Sequence, residues 1–367
     1  MEADVECFLA LLRAGLWKMP VDAALFRGRK VAWGGLFRLS KEQAVAGIAF
    51  DGLEMLPEDC RPPQEMILKW YAFVLQTERA NRRADAALAS LLSLYAGEGI
   101  RPVLLKGRGV ARFYPCPSHR QCGDIDLFLG RDYRKAKVLL SRTQGIKMAT
   151  EGEKHLSYLY QGVEVENHRR AACFYHPLYD WRLQAWVRQH LPGKEARVPL
   201  GGVEVQCPPG QFNAVYLLVH ILLHFVPDGV ALRQVMDWAV VLRECADEID
   251  TACLQRDLRR LGIEDAYKVF GYIAVRYLGL PSVYVHAGLE EAAGRGDAFF
   301  ADMLEGGNWG EKRSYGEAAG GWRTVWRNFF RIRKRCDGMK GFCPALVSSY
   351  PYWRVLNFML KKLRGLD

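Results

Sequence analysis

The stretch Gly123-Asp124-Ile125-Asp126-Leu127-Phe128-Leu129 places two acidic residues inside an otherwise apolar run. Side chains alternate across a β-strand, so Asp124 and Asp126 face one side and Ile125 and Leu127 face the other. The apolar run indicates a strand that is largely buried in a sheet. An exposed strand edge that carries two solvated acids is the alternative.

The segment Leu104-Leu105-Lys106-Gly107 precedes this stretch and has the pattern of a strand that ends in a glycine turn. Gly107 permits a positive φ angle and lets backbone N–H groups approach an anion closely. Lys106 could place its ammonium against a phosphate, and residues 109–114 could direct a helix N-terminus at the same charge. An ordinary strand-to-helix turn with a solvent-facing lysine is the alternative.

Paired carboxylates on a strand suit a divalent cation. Mg²⁺ prefers oxygen ligands and is usually held by one or two carboxylates together with substrate phosphates and water. In two-metal sites, ions about 3.5–4 Å apart stabilise both the attacking and the leaving oxygen. The pattern therefore indicates phosphoryl or nucleotidyl transfer with Mg²⁺, or Mn²⁺, as the cofactor.

A third acid is expected from the segment Val163-Glu164-Val165-Glu166-Asn167-His168, which alternates as a strand does. Together with residues 158–162 it predicts a β-hairpin. Glu164 and Glu166 share one face of this strand; Glu166 is the preferred third carboxylate, and Glu164 stays open as the alternative. His168 lies on the same face and could orient a carboxylate or the acceptor, or be purely structural.

The order of these motifs resembles that of a known family. Over about residues 10–300 the chain is similar to a poorly characterised bacterial nucleotidyltransferase family of the polymerase-beta-like superfamily. The motifs that carry the resemblance are 104–107, 120–129, 163–168, His220-Ile221-Leu222-Leu223-His224 and Leu232-Arg233-Gln234-Val235-Met236-Asp237-Trp238.

The superfamily has a Gly-Ser turn ahead of its Asp-x-Asp strand and a third acid on a neighbouring strand. The resemblance therefore implies catalytic and metal-binding roles for Asp124, Asp126 and Glu166. Arg108 stands where the superfamily has the serine, and the preceding Lys-Gly pair is similar to a variant of this family. The candidate nucleotide-binding residues are Lys106, Gly107, Arg108, Arg120, His168, His224 and Arg233.

Several of these candidates also have plain structural interpretations. Arg120 could neutralise phosphate from its loop, or it could be an exposed arginine. His220 and His224 share a helical face at a spacing that can bind zinc, but a structural or substrate-facing pair is the preferred interpretation. Arg233 and Asp237 are also four residues apart and could pair along their helix.

Composition narrows the class of protein. The chain has 367 residues, of which half are hydrophobic, so it can bury a substantial core. Its ten cysteines include no Cys-x-x-Cys pair, which favours a reducing compartment. The acidic N-terminus and the lack of an apolar run of about 18 residues predict a soluble, cytoplasmic protein with no transmembrane segment.

The positive charge is concentrated in the last part of the chain. Residues 321–367 contain eleven Lys or Arg and two acids, a balance of +9 out of the total of +10. Trp322, Trp326, Phe329 and Phe330 interleave with Arg323, Arg327, Arg331 and Arg333 at helical spacing. The preferred interpretation is a helix docked by its aromatic residues with arginines reaching water. Binding of nucleic acid, of an anionic membrane or of a protein partner stays open.

The periodic pattern predicts an α+β fold, with a small mixed sheet flanked by N-terminal helices and a C-terminal helical bundle. The resemblance implies that the sheet region is the nucleotidyltransferase core. The predicted units are 1–99, 100–207, 208–310 and a basic aromatic tail at 311–367. The predicted helices are 8–16, 64–95, 133–141, 181–189, 212–225, 230–245, 254–261 and 266–278.

The leading hypothesis is metal-dependent transfer of a nucleoside monophosphate from an NTP such as ATP to an acceptor hydroxyl. Neither the base nor the acceptor is encoded in these motifs, because they specify metal and phosphates only. A nucleotide- or nucleic-acid-binding regulator on the same fold, without turnover, is the main alternative. An antitoxin-like interaction partner is a third.

Overall fold

A computed structural model describes residues 3–152, 154–307 and 322–363 of the chain. The fold is α+β, as predicted: one seven-stranded mixed sheet lies among many helices. Within the described residues, no helix combines the length and apolarity that crossing a membrane requires.

The helices agree closely with the apolar periodicity. All eight predicted helices are present, and most begin or end within a few residues of the predicted bounds. The helices are α1 (Ala3–Trp17), α2 (Trp33–Glu42), α3 (Ala46–Glu54), α4 (Gln64–Gly97), α5 (Arg108–Ala111), α6 (Tyr133–Arg142), α7 (Pro177–His190), α8 (Gly210–Phe225), α9 (Leu232–Glu244), α10 (Thr251–Leu261), α11 (Glu264–Arg276), α12 (Ala293–Gly306), α13 (Trp322–Asp337), α14 (Pro344–Val347) and α15 (Tyr350–Leu363).

The sheet has the strand order β3-β4-β5-β2-β1-β7-β6. Its strands are β1 (Val103–Leu104), β2 (Ile125–Phe128), β3 (Lys147–Glu151), β4 (His155–Tyr160), β5 (Val163–His168), β6 (Ala196–Leu200) and β7 (Val203–Cys207). The central pair, β2 and β5, is parallel, whereas β1 runs antiparallel to β2. The two acidic strands are therefore direct neighbours in the middle of the sheet.

The predicted hairpin of β4 and β5 is confirmed. The strands are antiparallel and are joined by Gln161 and Gly162, with φ angles of 50° and 74°. Two successive positive φ angles are what a tight hairpin turn with the twist of its strands requires. This turn fixes the register of β5 and therefore the face on which Glu166 lies.

One hydrophobic core joins the N-terminal helices to the helices that follow the sheet. Side chains of α1 and α3 pack in the same cluster as those of α8, α9 and α11. Trp17 of α1 donates its indole N–H to the carbonyl of Leu278 at 2.6 Å. A second cluster packs the sheet against α6 and the C-terminal half of α4. The unit boundaries at residues 99, 207 and 310 stay a prediction.

Helix α4 has 34 residues and crosses most of the molecule. At about 1.5 Å per residue it is about 50 Å long. Asn81 donates to the carbonyl oxygens of Ser118 and Arg120, which lie in the loop before the Asp-x-Asp strand. Farther along, the hydroxyl of Tyr95 accepts a hydrogen bond from the Asn167 side chain of β5 at 2.6 Å. The helix thereby braces both the loop and the strand that carry site residues.

Two local features were predicted only in outline. The helix that residues 109–114 could begin is the single turn α5, Arg108–Ala111. The hairpin of β6 and β7 was not predicted in detail, although Gly201 and Gly202 between its strands have φ angles of 58° and 83°. Two glycines were a sufficient signal for that turn.

The basic tail docks differently from the prediction. The aromatic residues Trp326 and Phe330 are 44% and 64% exposed, so they do not seal α13 against the body. Instead, Ile332 is fully buried and Arg335 forms a two-pronged ion pair with Asp302 at 2.7 and 2.8 Å. The side chains of Trp322 and Arg323 lie outside the part of the chain that the structure describes. The inner face of α13 is therefore held by an aliphatic residue and an arginine, which leaves aromatic surface outside.

Candidate active site

Three acidic side chains meet where β2 and β5 run side by side. Asp126 and Glu166 are paired in the strand register, and Asp124 immediately precedes β2. One carboxylate oxygen from each of the three residues lies within 4.8 Å of the others. The structure thus brings together the three predicted acids. Glu164 lies toward the exposed start of β5, opposite Leu159.

A buried lysine faces these acids. The Nζ atom of Lys106 lies 2.9 Å from Oδ2 of Asp126 and 3.7 Å from Oδ2 of Asp124. Burial alone would lower the pKa of Lys106, but the carboxylates of Asp126 and Asp124 outweigh it and raise the pKa. The lysine is therefore charged, and its ammonium lies where a bound cation would contact the two carboxylates.

His168 joins the second and third acids. Its Nε2 atom lies 2.8 Å from Oδ1 of Asp126 and 3.2 Å from Oε2 of Glu166. The Nδ1 atom is buried and has no hydrogen-bond partner among the described residues, so Nε2 is the ring nitrogen that contacts the two carboxylates. His155, on β4, approaches the other oxygen of Glu166 at 3.4 Å. Both histidines hold the orientation of Glu166.

The carboxyl groups differ in acidity. Burial would raise the pKa of Asp126, but Lys106 and His168 hold it well below its usual range. Burial also acts on Glu166, yet the hydrogen bond from His168 lowers its pKa. In contrast, burial and the neighbouring Asp126 raise the pKa of Asp124. Asp126 and Glu166 therefore favour the ionised form, whereas Asp124 favours it less. A further cation beside Asp124 would stabilise its negative charge.

Gly107 makes the predicted turn between β1 and α5. Its φ and ψ angles are 58° and −115°, a backbone conformation that favours glycine. A Cβ atom there would meet the carbonyl oxygen of Asp124 at 3.5 Å, which is an ordinary contact. The glycine is thus needed for its conformation rather than for space.

Arg108 points away from the acids. Its guanidinium makes a two-pronged ion pair with Asp85 of α4, at 2.7 and 2.8 Å, and donates to the carbonyl of Pro117 at 2.9 Å. The side chain is only 8% exposed. The structure thus places Arg108 where it ties the glycine turn to α4, and does not bring it to the phosphate position.

Arg120 is buried in a network rather than exposed. Its guanidinium forms a two-pronged ion pair with Asp237 of α9, and the hydroxyl of Tyr114 donates to the same carboxylate at 2.8 Å. Asp237 therefore pairs with Arg120 and not, as the helical spacing suggested, with Arg233. Arg233 donates instead to the carbonyl of Gln121 at 2.9 Å, in the same loop.

These groups surround a small cavity of about 40 Å³, here named the carboxylate cavity. It is room for a few water molecules rather than for a whole nucleotide. Its lining residues are Lys106, Gly107, Arg120, Gly123, Asp124, Asp126, Leu217, His220, Ile221, Arg233, Gln234 and Asp237. The predicted residues Lys106, Gly107, Arg120 and Arg233 thus share one space with two of the acids.

His224 lies behind this cavity rather than in its lining. Its ring contacts that of His220 with centroids 4.7 Å apart. Burial, together with the charges of Lys106 and Lys154, lowers the pKa of His224 to about 3. Within the described residues, no group of three metal-ligating side chains includes either histidine, so the zinc alternative gains no support.

Comparison with known protein families agrees with this arrangement. A family model described as an uncharacterised nucleotidyltransferase matches residues 29–279, which is more than half of the chain. The chain belongs to this nucleotidyltransferase family. Neither the search of curated proteins nor the search of solved structures found a match. The family assignment gives the enzyme class, nucleotidyl transfer, and leaves the substrates to the geometry.

Some residues of this nucleotidyltransferase site were missed in the sequence. Lys154 is buried near the acids, and both its burial and the charge of Lys106 lower its pKa. Tyr216 of α8 is also close: burial and the charge of Asp126 raise its pKa. No local spacing links these residues to the acidic motif, because they reach it only through the tertiary fold.

The residues present fit a divalent cation. Three carboxylate oxygens converge within 4.8 Å, and oxygen is the ligand that Mg²⁺ and Mn²⁺ prefer. The buried Oδ2 atom of Asp126 has no well-directed hydrogen bond. Its partner is the ammonium of Lys106, which forms an ion pair with it at 2.9 Å. Lys106 thus offsets part of the negative charge of the site, and the carboxylates offer oxygen ligands for a further cation.

Proposed function

We propose that this enzyme transfers a nucleoside monophosphate from an NTP, with Mg²⁺ or Mn²⁺, to an acceptor hydroxyl. The observation that carries the proposal is the meeting of Asp124, Asp126 and Glu166 beside the buried Lys106. Such a cluster is suited to a cation-bound polyphosphate. A cluster whose only role was structural would not need three acids on one face.

The three acids would hold the metal, which would neutralise the phosphates and stabilise the attacking and leaving oxygens. Lys106 would bind the β- or γ-phosphate through its ammonium, a role open to it once a metal ion replaces its charge at Asp126. The backbone at Gly107 would approach the same phosphates. Arg233, which faces the carboxylate cavity, would add positive charge.

Glu166 would accept the hydroxyl proton of the acceptor, oriented by the hydrogen bond from His168. The acceptor oxygen would form a bond to the α-phosphorus while the bond between this phosphorus and the bridging α–β oxygen breaks. Pyrophosphate would leave with the bonding electrons, and the proton would remain with the carboxyl group until solvent removes it. Arg120 and Arg108 would position the loop and the turn.

The direct test incubates the full chain with Mg²⁺ or Mn²⁺ and α-labelled NTPs and measures pyrophosphate release and transferred label. Asp124→Asn and Asp126→Asn should abolish both signals, because each removes a ligand charge. Equal signals from the wild type and both variants would reject the proposal. Saturable NTP binding without turnover in any metal would favour the regulator instead.

We further propose that the basic tail lies against an anionic membrane surface. Trp326 and Phe330 on α13 and Leu356 on α15 are 44%, 64% and 54% exposed, and α13 packs beside α15. The surrounding sequence is strongly basic. Exposed aromatic residues flanked by Lys and Arg are typical of a surface that enters the headgroup region of anionic lipids. A cytoplasmic location, consistent with ten free thiols, would put this surface at the inner leaflet.

Vesicle sedimentation tests this partner. The protein should bind vesicles of phosphatidylcholine with phosphatidylglycerol, should bind pure phosphatidylcholine much less, and should lose binding in Phe330→Glu. Trp181→Glu is a matched control, because Trp181 is 62% exposed but lies on α7. Lipid binding that is equal in both variants, or salt-sensitive binding of RNA in place of vesicles, would contradict the membrane assignment.

A further inference from the structure

A second and larger cavity opens beside the end of β5. Its volume is about 510 Å³. It lies between the segment 169–180 that follows β5 and Trp353 of the C-terminal helix α15. We name it the aromatic cavity. None of the roles described so far uses it.

The aromatic cavity and the acids are close neighbours. Arg169 lines the cavity and directly follows His168, whose Nε2 atom lies 2.8 Å from Asp126. The backbone N–H of Arg169 donates to the carbonyl of Lys154 at 2.9 Å. The cavity therefore opens at the residue that follows the histidine in contact with Asp126 and Glu166.

The walls of the aromatic cavity combine planar rings with positive charge. Tyr175 packs on Trp353 with ring centroids 4.1 Å apart, and both line the space. Arg169 and Arg170 also line it. Asp180 is an acidic lining residue and pairs with Arg170 at 3.1 Å, so the lining keeps a net positive charge. Guanidinium groups bind phosphate, and aromatic faces bind the C–H faces of a ring.

We propose that the aromatic cavity is the acceptor subsite and that it takes a phosphorylated sugar with a free hydroxyl. The inference rests on the proposed nucleotidyl transfer and adds the class of acceptor to it. The sugar ring would pack on Trp353 and Tyr175, its phosphate would face Arg169 and Arg170, and a hydroxyl would point back toward Glu166. The NTP phosphates would occupy the opposite side, at Lys106.

Size and chemistry separate the two cavities. The carboxylate cavity is more than ten times smaller and is lined by the acids and their charged partners. The aromatic cavity is large enough for a phosphorylated monosaccharide, because ligand sites of small molecules typically measure about 300–1,000 Å³. Asp124 and Asp126 line the first cavity, and Arg169, which follows His168 in the chain, lines the second.

Calorimetry with the full chain tests the acceptor subsite. The protein is first saturated with Mg²⁺ and a non-hydrolysable NTP analogue and then titrated with glucose 6-phosphate, glucose or glycerol 3-phosphate. Glucose 6-phosphate should bind, and the probes that lack the phosphate or the ring should bind at least tenfold more weakly. Arg170→Ala and Trp353→Ala should each weaken glucose 6-phosphate binding at least tenfold and leave the affinity for the analogue unchanged.

Matched controls are Arg188→Ala, an exposed arginine on α7, and Met359→Ala, an exposed residue on α15. Both should bind the sugar phosphate like the wild type. If the analogue binds but glucose 6-phosphate does not, or binds equally to wild type and to both cavity variants, the acceptor inference is overturned while nucleotidyl transfer stands. If the wild type neither binds the analogue nor releases pyrophosphate, the proposed function itself fails. Arg170→Ala keeps the test valid if Trp353→Ala lowers the melting temperature.

Discussion

The carboxylate cavity and the aromatic cavity are built in opposite ways. In the first, Arg120 and Asp237 are 6% and 8% exposed and form a two-pronged pair. In the second, Arg170 and Asp180 are 45% and 19% exposed and make a single contact at 3.1 Å. The carboxylate cavity is lined by a buried network of charged residues. The aromatic cavity is an open groove whose charged residues are more exposed to solvent.

The difference fits the chemistry of two substrates. Every NTP carries the same triphosphate, so a rigid arrangement of acids, Lys106 and the Gly107 turn can be fixed in the fold. Acceptors vary in shape, and an open aromatic space can be altered with little damage to the core. Changes on the first side should therefore affect catalysis and stability strongly, whereas changes on the second side should affect affinity for one ligand.

The largest expected effect is on the proposed base. Glu166→Gln removes the proposed base and one negative charge, and it should lower kcat about 10³-fold. Glu164→Gln is the matched control, because Glu164 is an exposed residue of the same strand. The measurement is the steady-state rate of pyrophosphate release. A loss of activity in Glu164→Gln that equals the loss in Glu166→Gln would reassign the third acid.

A smaller but still large effect is expected on stability. Asp237→Asn leaves the buried guanidinium of Arg120 without its counter-charge, and this should lower the free energy of unfolding by about 3 kcal/mol. On the open side, Arg170→Ala breaks a half-exposed pair and should cost about 0.5 kcal/mol. Urea unfolding of both variants measures the contrast. Similar losses would contradict the description of one closed and one open side.

Acid should weaken the fold through the histidine behind the carboxylate cavity. The folded-state pKa of His224, about 3, is below the value of about 6.5 for an unfolded histidine. As pH falls below 6.5, the unfolded chain takes up this proton first, so stability is full above pH 6.5 and declines toward pH 3. Between pH 6.5 and pH 5 this site should remove up to about 2 kcal/mol.

The variant His224→Gln isolates that decline, because glutamine does not titrate. Its free energy of unfolding should fall less steeply than that of the wild type over the same pH range. The groups whose charges act on the ring are Lys106, Lys154 and Asp126, and none of them is altered. Parallel curves for the variant and the wild type would show that the acid sensitivity arises elsewhere.

The smallest effect concerns the turn at the phosphate side. Gly107→Ala forces an L-residue into φ 58° and ψ −115°, and it should cost about 1 kcal/mol and raise the KM for the NTP. Gly123→Ala is the control, because its Cβ would meet no atom within 4 Å and the position lines the same cavity. Stability and KM are measured for both. Equal values in the two variants would show that the turn is not strained.

Much of the fold follows from local patterns. The apolar periodicity fixed the eight predicted helices, and the alternating residues around Gln161 and Gly162 fixed the hairpin of β4 and β5. The three acids could also be chosen, because alternation puts Glu166 on a defined face and the family resemblance supplied the neighbouring strand. What remained uncertain, Glu164 against Glu166, depends on the register between β2 and β5, which pairs Asp126 with Glu166.

The rest depended on contacts between distant segments. Arg108 and Arg120 had the same charge and a similar position relative to the motif, yet one pairs with Asp85 of α4 and the other with Asp237 of α9. No spacing in the sequence distinguishes an arginine that binds phosphate from one that holds a loop. The tail was misjudged for a similar reason, since the partner of Arg335 is Asp302 on α12.

Helix α4 sets the spacing between three segments of the candidate site. Asn81, Asp85 and Tyr95 contact, in turn, the Arg120 loop, the glycine turn and β5. Adding one residue to this stretch would rotate everything beyond it by about 100°, so no single insertion could preserve all three contacts. The interval between Asn81 and Tyr95 should therefore not tolerate a change of length.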